Sequence, residues 1–219
     1  MINVLLNINN FSEEFAFSEL SKIINPNMKV LILPLSFHED WITGNQDLKH
    51  YYGKGKKEYQ DIAKEFYAFG INDENIKIIN YFYDTRKSIE KKIKKSDILF
   101  LTGGYPDKLL YRIDKLRIRD LIQNFDGIVM GTSAGAMVQL KEYHVTPEED
   151  NEEYQYHQGL GLIEDFDIEV HFENSPKQLY CIALTLQQYN QPIYALSNDS
   201  GLIIHDKEII SLGNAFKIT

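Results

Sequence analysis

Short β-branched apolar runs alternate with longer amphipathic stretches through the first two-thirds of this chain, and that alternation restricts the fold most. The runs Asn3–Ile8, Val30–Leu35, Ile76–Phe82, Ile98–Thr102 and Ile128–Met130 are strand-sized and bounded by Gly, Asn or Asp. Between them, Glu13–Ile24, Lys54–Phe69, Arg86–Lys94 and the stretch from Pro106 to about Asn124 read as helices. Strands separated by helices pair in parallel, and a parallel sheet needs cover on both faces. The expected fold class is therefore α/β, a three-layer sandwich with a mostly parallel central sheet and helices on both faces. Ligands of such sheets gather beyond the carboxyl ends of the strands. Two glycine turns fall there, Thr102-Gly103-Gly104 and Gly131-Thr132-Ser133-Ala134-Gly135.

The last third changes character. Lys141–Thr146 and Tyr154–Gln158 read as strands around the acidic turn Pro147–Glu153, and Phe166–Phe172 alternates like another. Lys177–Tyr189 is helical, and Tyr194–Ser197, Gly201–His205 and Glu208–Leu212 resemble a closing meander. With 219 residues and no repeat, low-complexity tract or linker, a single domain spanning 1–219 is expected.

A net charge of -9 argues against a non-specific nucleic-acid binder, which needs a basic face to displace counterions. The basic cluster Arg86, Lys87, Lys91, Lys92, Lys94 and Lys95 is interleaved with Ile89 and Ile93 at helical spacing, as on a solvated helix face. No apolar stretch approaches membrane-spanning length, and the first residues carry no signal pattern. The single cysteine, Cys181, allows no intrachain disulfide and no cysteine-based zinc site. A cytoplasmic protein is expected, with no metal and no organic cofactor.

The segment Gly131–Gly135 has the form of a nucleophile elbow. A serine at a sharp strand-to-helix turn exposes its hydroxyl, and glycines on both sides let the backbone pass without Cβ clashes. The helix start also offers N–H groups to a developing oxyanion. The pattern alone arises by chance in roughly one protein in ten to fifteen, so its setting between Ile128-Val129-Met130 and a helix carries the weight. Ser133 is the candidate nucleophile, and the N–H groups of Gly104 and Ala134 are the candidate oxyanion hole.

Such a serine needs a base, and the base an orienting partner. Six histidines are available: His38, His50, His144, His157, His171 and His205. Pattern does not choose among them, and Ser133 with Asp199 and His205 forms a competing set in the order Ser, Asp, His.

The ordered set Leu101-Thr102-Gly103-Gly104, Gly131-Thr132-Ser133-Ala134-Gly135-Ala136, Gly159-Leu160-Gly161-Leu162 and Val170-His171-Phe172 resembles peptidase family S51, which contains peptidase E (an aspartyl dipeptidase) and cyanophycinase. The resemblance covers most of the chain, from the first strand to at least Phe172, and it implies a fold like that of class I glutamine amidotransferases. It also implies His171 as base and an acid in the loop Glu148-Glu149-Asp150. Counting from the serine selects Glu148, the residue adopted here, and counting back from the histidine selects Glu149. The activity implied is serine-type hydrolysis of small peptides, as a dipeptidase with a preference for acidic N-terminal residues.

There are departures. Tyr105-Pro106-Asp107-Lys108 follows Gly103-Gly104 where peptidase E-like members commonly continue Gly-Gly-Asn-Thr, and Phe172–Lys177 lacks the arginines that follow His-Phe in cyanophycinases. Cyanophycin hydrolysis is therefore not expected, and Lys108 is one candidate to meet a substrate carboxylate. The expected partner is a small peptide, with no nucleic acid and no membrane; a homodimer stays open. The other readings are an esterase, a glutamine amidotransferase, disfavoured by serine at the elbow, and a catalytically silent ligand-binding relative.

Overall fold

The computed structural model describes residues 1–147 and 153–219. In chain order its strands are β1 (Ile2–Leu6), β2 (Val30–Leu33), β3 (Ile76–Ile78), β4 (Ile98–Leu101), β5 (Ile128–Thr132), β6 (Glu142–Val145), β7 (Gln155–Gln158), β8 (Asp167–Glu169), β9 (Ile193–Ala195), β10 (Ser200–His205), β11 (Glu208–Gly213) and β12 (Phe216–Ile218). The helices are α1 (Glu14–Leu20), α2 (Asn45–Tyr52), α3 (Lys57–Ala68), α4 (Arg86–Ile93), α5 (Pro106–Lys115), α6 (Arg119–Gln123), α7 (Ala134–Met137) and α8 (Pro176–Tyr189).

Among the described residues, seven strands form the main sheet in the order β11-β10-β1-β5-β4-β2-β3. From β1 to β3 all neighbours are parallel, and β10 and β11 add an antiparallel edge. Side chains of a strand alternate between faces, and β2 shows it plainly: Leu31 and Leu33 enter one core, Val30 and Ile32 the other. On the second face α3 buries Tyr59, Ile62, Ala63 and Phe66, a spacing that returns to one side of a helix. On the first face α5 does the same with Leu109, Leu110 and Ile113. The mixed α/β class with a mostly parallel central sheet is as expected. No helix among the described residues is long and apolar enough to cross a membrane.

Several boundaries differ from the sequence expectation. The helix expected over Lys54–Phe69 begins at Lys57, and α2 precedes it across a turn containing Gly55 at φ +77°. The stretch from Pro106 to Asn124 breaks into α5 and α6 because Arg117 adopts a left-handed φ of +55°. Strand β3 stops at Ile78, where Asn80 starts a turn closed by its N–H on Asp84 at 2.7 Å. The closing meander is split between sheets. Strands β10 and β11 join the main sheet, whereas β9 lies between β8 and β12 in a second, three-stranded sheet. The expected pair β6 and β7 forms an antiparallel ribbon.

A buried cation braces the carboxyl end of β2. Arg112 of α5 is 1% exposed; Nη1 donates to the carbonyls of Leu35 and Phe37 at 2.6 and 2.7 Å, and Nη2 donates to Glu39 at 2.8 Å. Its guanidinium also lies 3.6 Å from the centre of the Phe37 ring. Removing it leaves two inward-facing carbonyls unpartnered. Arg112→Met is expected to lower the unfolding free energy by about 3 kcal/mol, read from urea denaturation. A loss below about 1 kcal/mol, the size of an ordinary exposed contact, would deny it this role.

Candidate active site

The elbow forms because three backbone segments pass too close for side chains. A Cβ on Gly131 would lie 2.0 Å from the Gly135 carbonyl oxygen, and one on Gly135 would lie 2.1 Å from that of Leu101 in β4. Between them Ser133 takes φ +48° and ψ -117°, an unfavourable region for a residue with a side chain. Its N–H donates to the Leu6 carbonyl at the end of β1 at 2.9 Å, so both neighbouring strands hold the turn. The serine side chain therefore stands at the carboxyl end of the sheet.

There it meets His171. Nε2 of that ring lies 2.9 Å from Ser133 Oγ. His171 follows β8 of the smaller sheet and has φ +53°, which turns it off the strand path. Two amide side chains fix that turn. The His171 N–H donates to Asn7 Oδ1 at 2.6 Å, and Gln178 Nε2 donates to the His171 carbonyl at 2.8 Å. Asn7 is itself tied to Asn198 at 3.1 Å.

The proposed oxyanion donors sit beside this pair. Gly104, at φ +134°, lines the same cleft as Ser133. A Cβ there would meet the Ser36 carbonyl oxygen at 2.5 Å, so the close approach requires glycine. Ser36 braces the turn: its hydroxyl donates to the Gly103 carbonyl at 2.5 Å and lies 2.7 Å from Thr102 Oγ1, while its carbonyl accepts the Tyr105 N–H at 2.8 Å. Ala134 is the first residue of α7. Among the described residues no protein acceptor takes the N–H of Gly104 or of Ala134.

The cleft has a volume of about 1010 Å³ and takes in Ser133, His171, Gly104, Glu169, Lys177 and the rim aromatic Trp41. Glu148, Glu149 and Asp150 lie outside the described residues. No described carboxylate hydrogen-bonds the His171 ring.

Of the remaining histidines, His144 and His157 also line the cleft, whereas His205 does not. His205 pairs with Ile2 at the start of β1, whereas Leu6, at the other end, pairs with Thr132. Four residues of strand, about 13 Å, part it from the elbow, and its nearest carboxylate is Asp206 at 3.4 Å. Asp199 instead accepts from Asn10 at 3.2 Å, so the competing set does not assemble. Lys108 pairs with Glu39 at 3.4 Å rather than facing the cleft. Cys181 is buried within α8, and burial pushes its thiol up from the usual range. No group of three or more described His, Cys, Asp or Glu residues is arranged to hold a metal ion.

The peptidase family S51 profile matches residues 52–212, which include Gly104, Ser133, Ala134, His171 and Gln178 but not Leu6, Asn7, Ser36 or Trp41. The chain belongs to peptidase family S51. Two solved structures share its fold. One is a Listeria monocytogenes EGD-e protein assigned as a peptidase E, with 19% identity, 96% of each chain covered and a TM-score of 0.67. The other is a peptidase from an acI-B1 Actinobacterium, with 14% identity, 99% of this chain and 96% of that one covered, and a TM-score of 0.55. No curated protein matches the chain.

One group in this S51 peptidase fold gave no sequence signal. His144, inside β6 and fully buried, lies between two acids of β8: Nδ1 is 2.7 Å from Asp167 and Nε2 is 2.5 Å from Glu169. Burial alone would lower its pKa, but the hydrogen bonds and charges of Asp167 and Glu169 outweigh that and push it up to about 10. A raised pKa contributes stability that is full below the unfolded value near 6.5 and is lost as pH rises through the folded one. Unfolding free energy should therefore fall steadily between about pH 6.5 and 10, and His144→Gln should flatten that slope. Equal slopes in urea titrations of both proteins would contradict the charged assignment.

Proposed function

We propose that this S51 peptidase hydrolyses short peptides through an acyl-enzyme formed on Ser133. The observation that carries the reading is the 2.9 Å contact between Ser133 Oγ and His171 Nε2 inside the cleft. The hydroxyl donates to Nε2 at rest, and His171 takes that proton as Oγ attacks the scissile carbonyl. Charge developing on the carbonyl oxygen falls to the N–H groups of Gly104 and Ala134. His171 then returns its proton to the departing amine, and water cleaves the ester by the reverse sequence. The third member comes from the acidic loop, with Glu148 the assignment, and its task is to hold Nδ1–H and stabilise the imidazolium.

A dipeptidase with a preference for acidic N-terminal residues is the finer form of this reading. The cleft wall carries Lys177, at the start of α8, together with Asp107, Glu153, Glu169 and Glu173. A silent binding relative would be favoured by a serine out of reach of its histidine, the opposite of the contact observed. A cytoplasmic setting belongs to the same reading.

A fluorophosphonate probe should add once to the wild-type protein and not to Ser133→Ala or His171→Ala. Dipeptide hydrolysis should fall by about 10⁴-fold or more in Ser133→Ala. Folded wild-type protein that takes no label and cleaves no dipeptide would refute the assignment. Within the acidic loop, Glu148→Ala should lower kcat by about 10³- to 10⁴-fold, with Glu149→Ala and Asp150→Ala within a few-fold of wild type. The reverse ranking would move the acid to its neighbour.

A further inference from the structure

Next to Gly104 the cleft carries aromatic side chains that the hydrolytic steps leave unused. Trp41, the chain's only tryptophan, is 58% exposed and Tyr105 is 41% exposed, and both line the cleft that holds Ser133. Their ring centres lie 6.2 Å apart, edge to face. The His38 ring, outside the cleft wall, lies 5.9 Å from Trp41 and 5.2 Å from Tyr105 and completes a triangle of rings. Adjacent aromatic surface left facing water at a cleft is what an apolar ligand group gains most by covering.

The two rings are held in place by their own segments. Tyr105 has the extended backbone that a following proline imposes, and its N–H donates to the Ser36 carbonyl at 2.8 Å. Trp41 sits in a turn where its own N–H and that of Ile42 both donate to the His38 carbonyl at 3.2 Å. Ile42 is buried with Phe37 and Leu48, which fixes the far side of that turn. Arg112 holds the approach to it through Leu35, Phe37 and Glu39. Rings fixed in this way lose little freedom on binding, which makes them effective anchors.

The rim is tied to the reacting serine through the glycine turn. A Cβ built on Gly103 would lie 3.5 Å from Ser133 Cβ. Tyr105 follows two residues later, so its α-carbon is within about 7 Å of that of Gly103. On the reading above, Gly104 between them donates to the scissile carbonyl oxygen. The α-carbon of the leaving residue is only about 2.4 Å from the scissile carbon, so its side chain starts within reach of Tyr105. A dipeptide offers two side chains. The faces of aromatic rings carry partial negative charge and repel a carboxylate, so an acidic first residue does not suit this rim. An aromatic second residue does, because ring pairs with centres about 4.5–7 Å apart gain energy beyond the area they bury.

We infer that Trp41 and Tyr105 form the subsite for the leaving residue's side chain and select dipeptides whose second residue is aromatic. The aromatic subsite rests on the two rings; its assignment to the leaving residue rests on the dipeptidase reading above.

The test is binding to the Ser133→Ala protein at pH 7 by titration calorimetry, with Trp41 emission as a second reading taken at the subsite itself. The probes are aspartyl-phenylalanine, aspartyl-alanine, phenylalanyl-alanine and aspartyl-lysine, the last offering a cation to the ring faces. Aspartyl-phenylalanine should shift the Trp41 emission and bind about 10- to 30-fold more tightly than aspartyl-alanine. It should also bind more tightly than the other two probes. Adding Trp41→Ala and Tyr105→Ala together should shrink the phenylalanine-to-alanine ratio to within about threefold. Tyr105→Phe, which keeps the ring, should retain it.

Equal binding of aspartyl-phenylalanine and aspartyl-alanine overturns the inference. So does an undiminished ratio without the two rings, no binding at all, or tighter binding of phenylalanyl-alanine or aspartyl-lysine than of aspartyl-phenylalanine. If the ring-less variant fails to fold, the ratio in the Ser133→Ala protein still decides, with Tyr105→Ala alone expected to give an intermediate one. Selective binding by a protein whose wild-type form takes no fluorophosphonate label would keep the aromatic subsite and remove the hydrolase reading alone. A labelled protein that binds both aspartyl dipeptides equally would do the reverse.

Discussion

The close passage of backbone at the end of β5 is the constraint on which the rest of the site depends. Gly131, Gly135 and the Leu101 carbonyl lie where no Cβ fits, and Ser133 between them holds a backbone conformation worth roughly 1–3 kcal/mol of strain. A turn of this kind persists only where its surroundings over-determine it. Here β1 supplies a hydrogen bond through Leu6, β4 supplies the wall, and the strands beneath are buried on both faces. The strain is local, and the burial that sustains it is spread over two cores.

The two halves of the Ser133–His171 pair come from different sheets. The main parallel sheet raises Ser133, whereas His171 arrives from β8 in the three-stranded sheet. The His171 N–H donating to Asn7 at the end of β1, and Gln178 of α8 donating to the His171 carbonyl, hold the junction in register. A 2.9 Å contact between side chains on separate sheets thus depends on amide groups that never touch either reacting atom.

The His144 cluster has a comparable place. It links β6, which leads into the acidic loop, to β8, which leads into His171. A buried ion group of this kind adds little net stability compared with apolar packing. Its worth lies in direction, since hydrogen bonds at 2.7 and 2.5 Å fix the His144 ring between Asp167 and Glu169 of β8.

The alternation of apolar runs and amphipathic helices, the parallel sheet and the elbow were legible in the sequence because they rest on local chemistry: side-chain period, turn glycines and helix starts. The motif order carried the resemblance that singled out His171. The break at Arg117 and the diversion of β9 into a second sheet were not legible, because each is decided by what packs against the segment rather than by its own residues. The same holds within the site. Asn7, Ser36, His144, Asp167 and Glu169 lie in no recognisable motif, and their partners stand 1 to 191 positions away along the chain. The sequence by itself determined a parallel α/β sheet with a serine at a strand-to-helix elbow, since periodicity and glycine sterics act over a few residues. Only the tertiary structure decided how His171 is held at that serine and how His144 comes to lie between Asp167 and Glu169, since those distances arise from the packing of separate sheets.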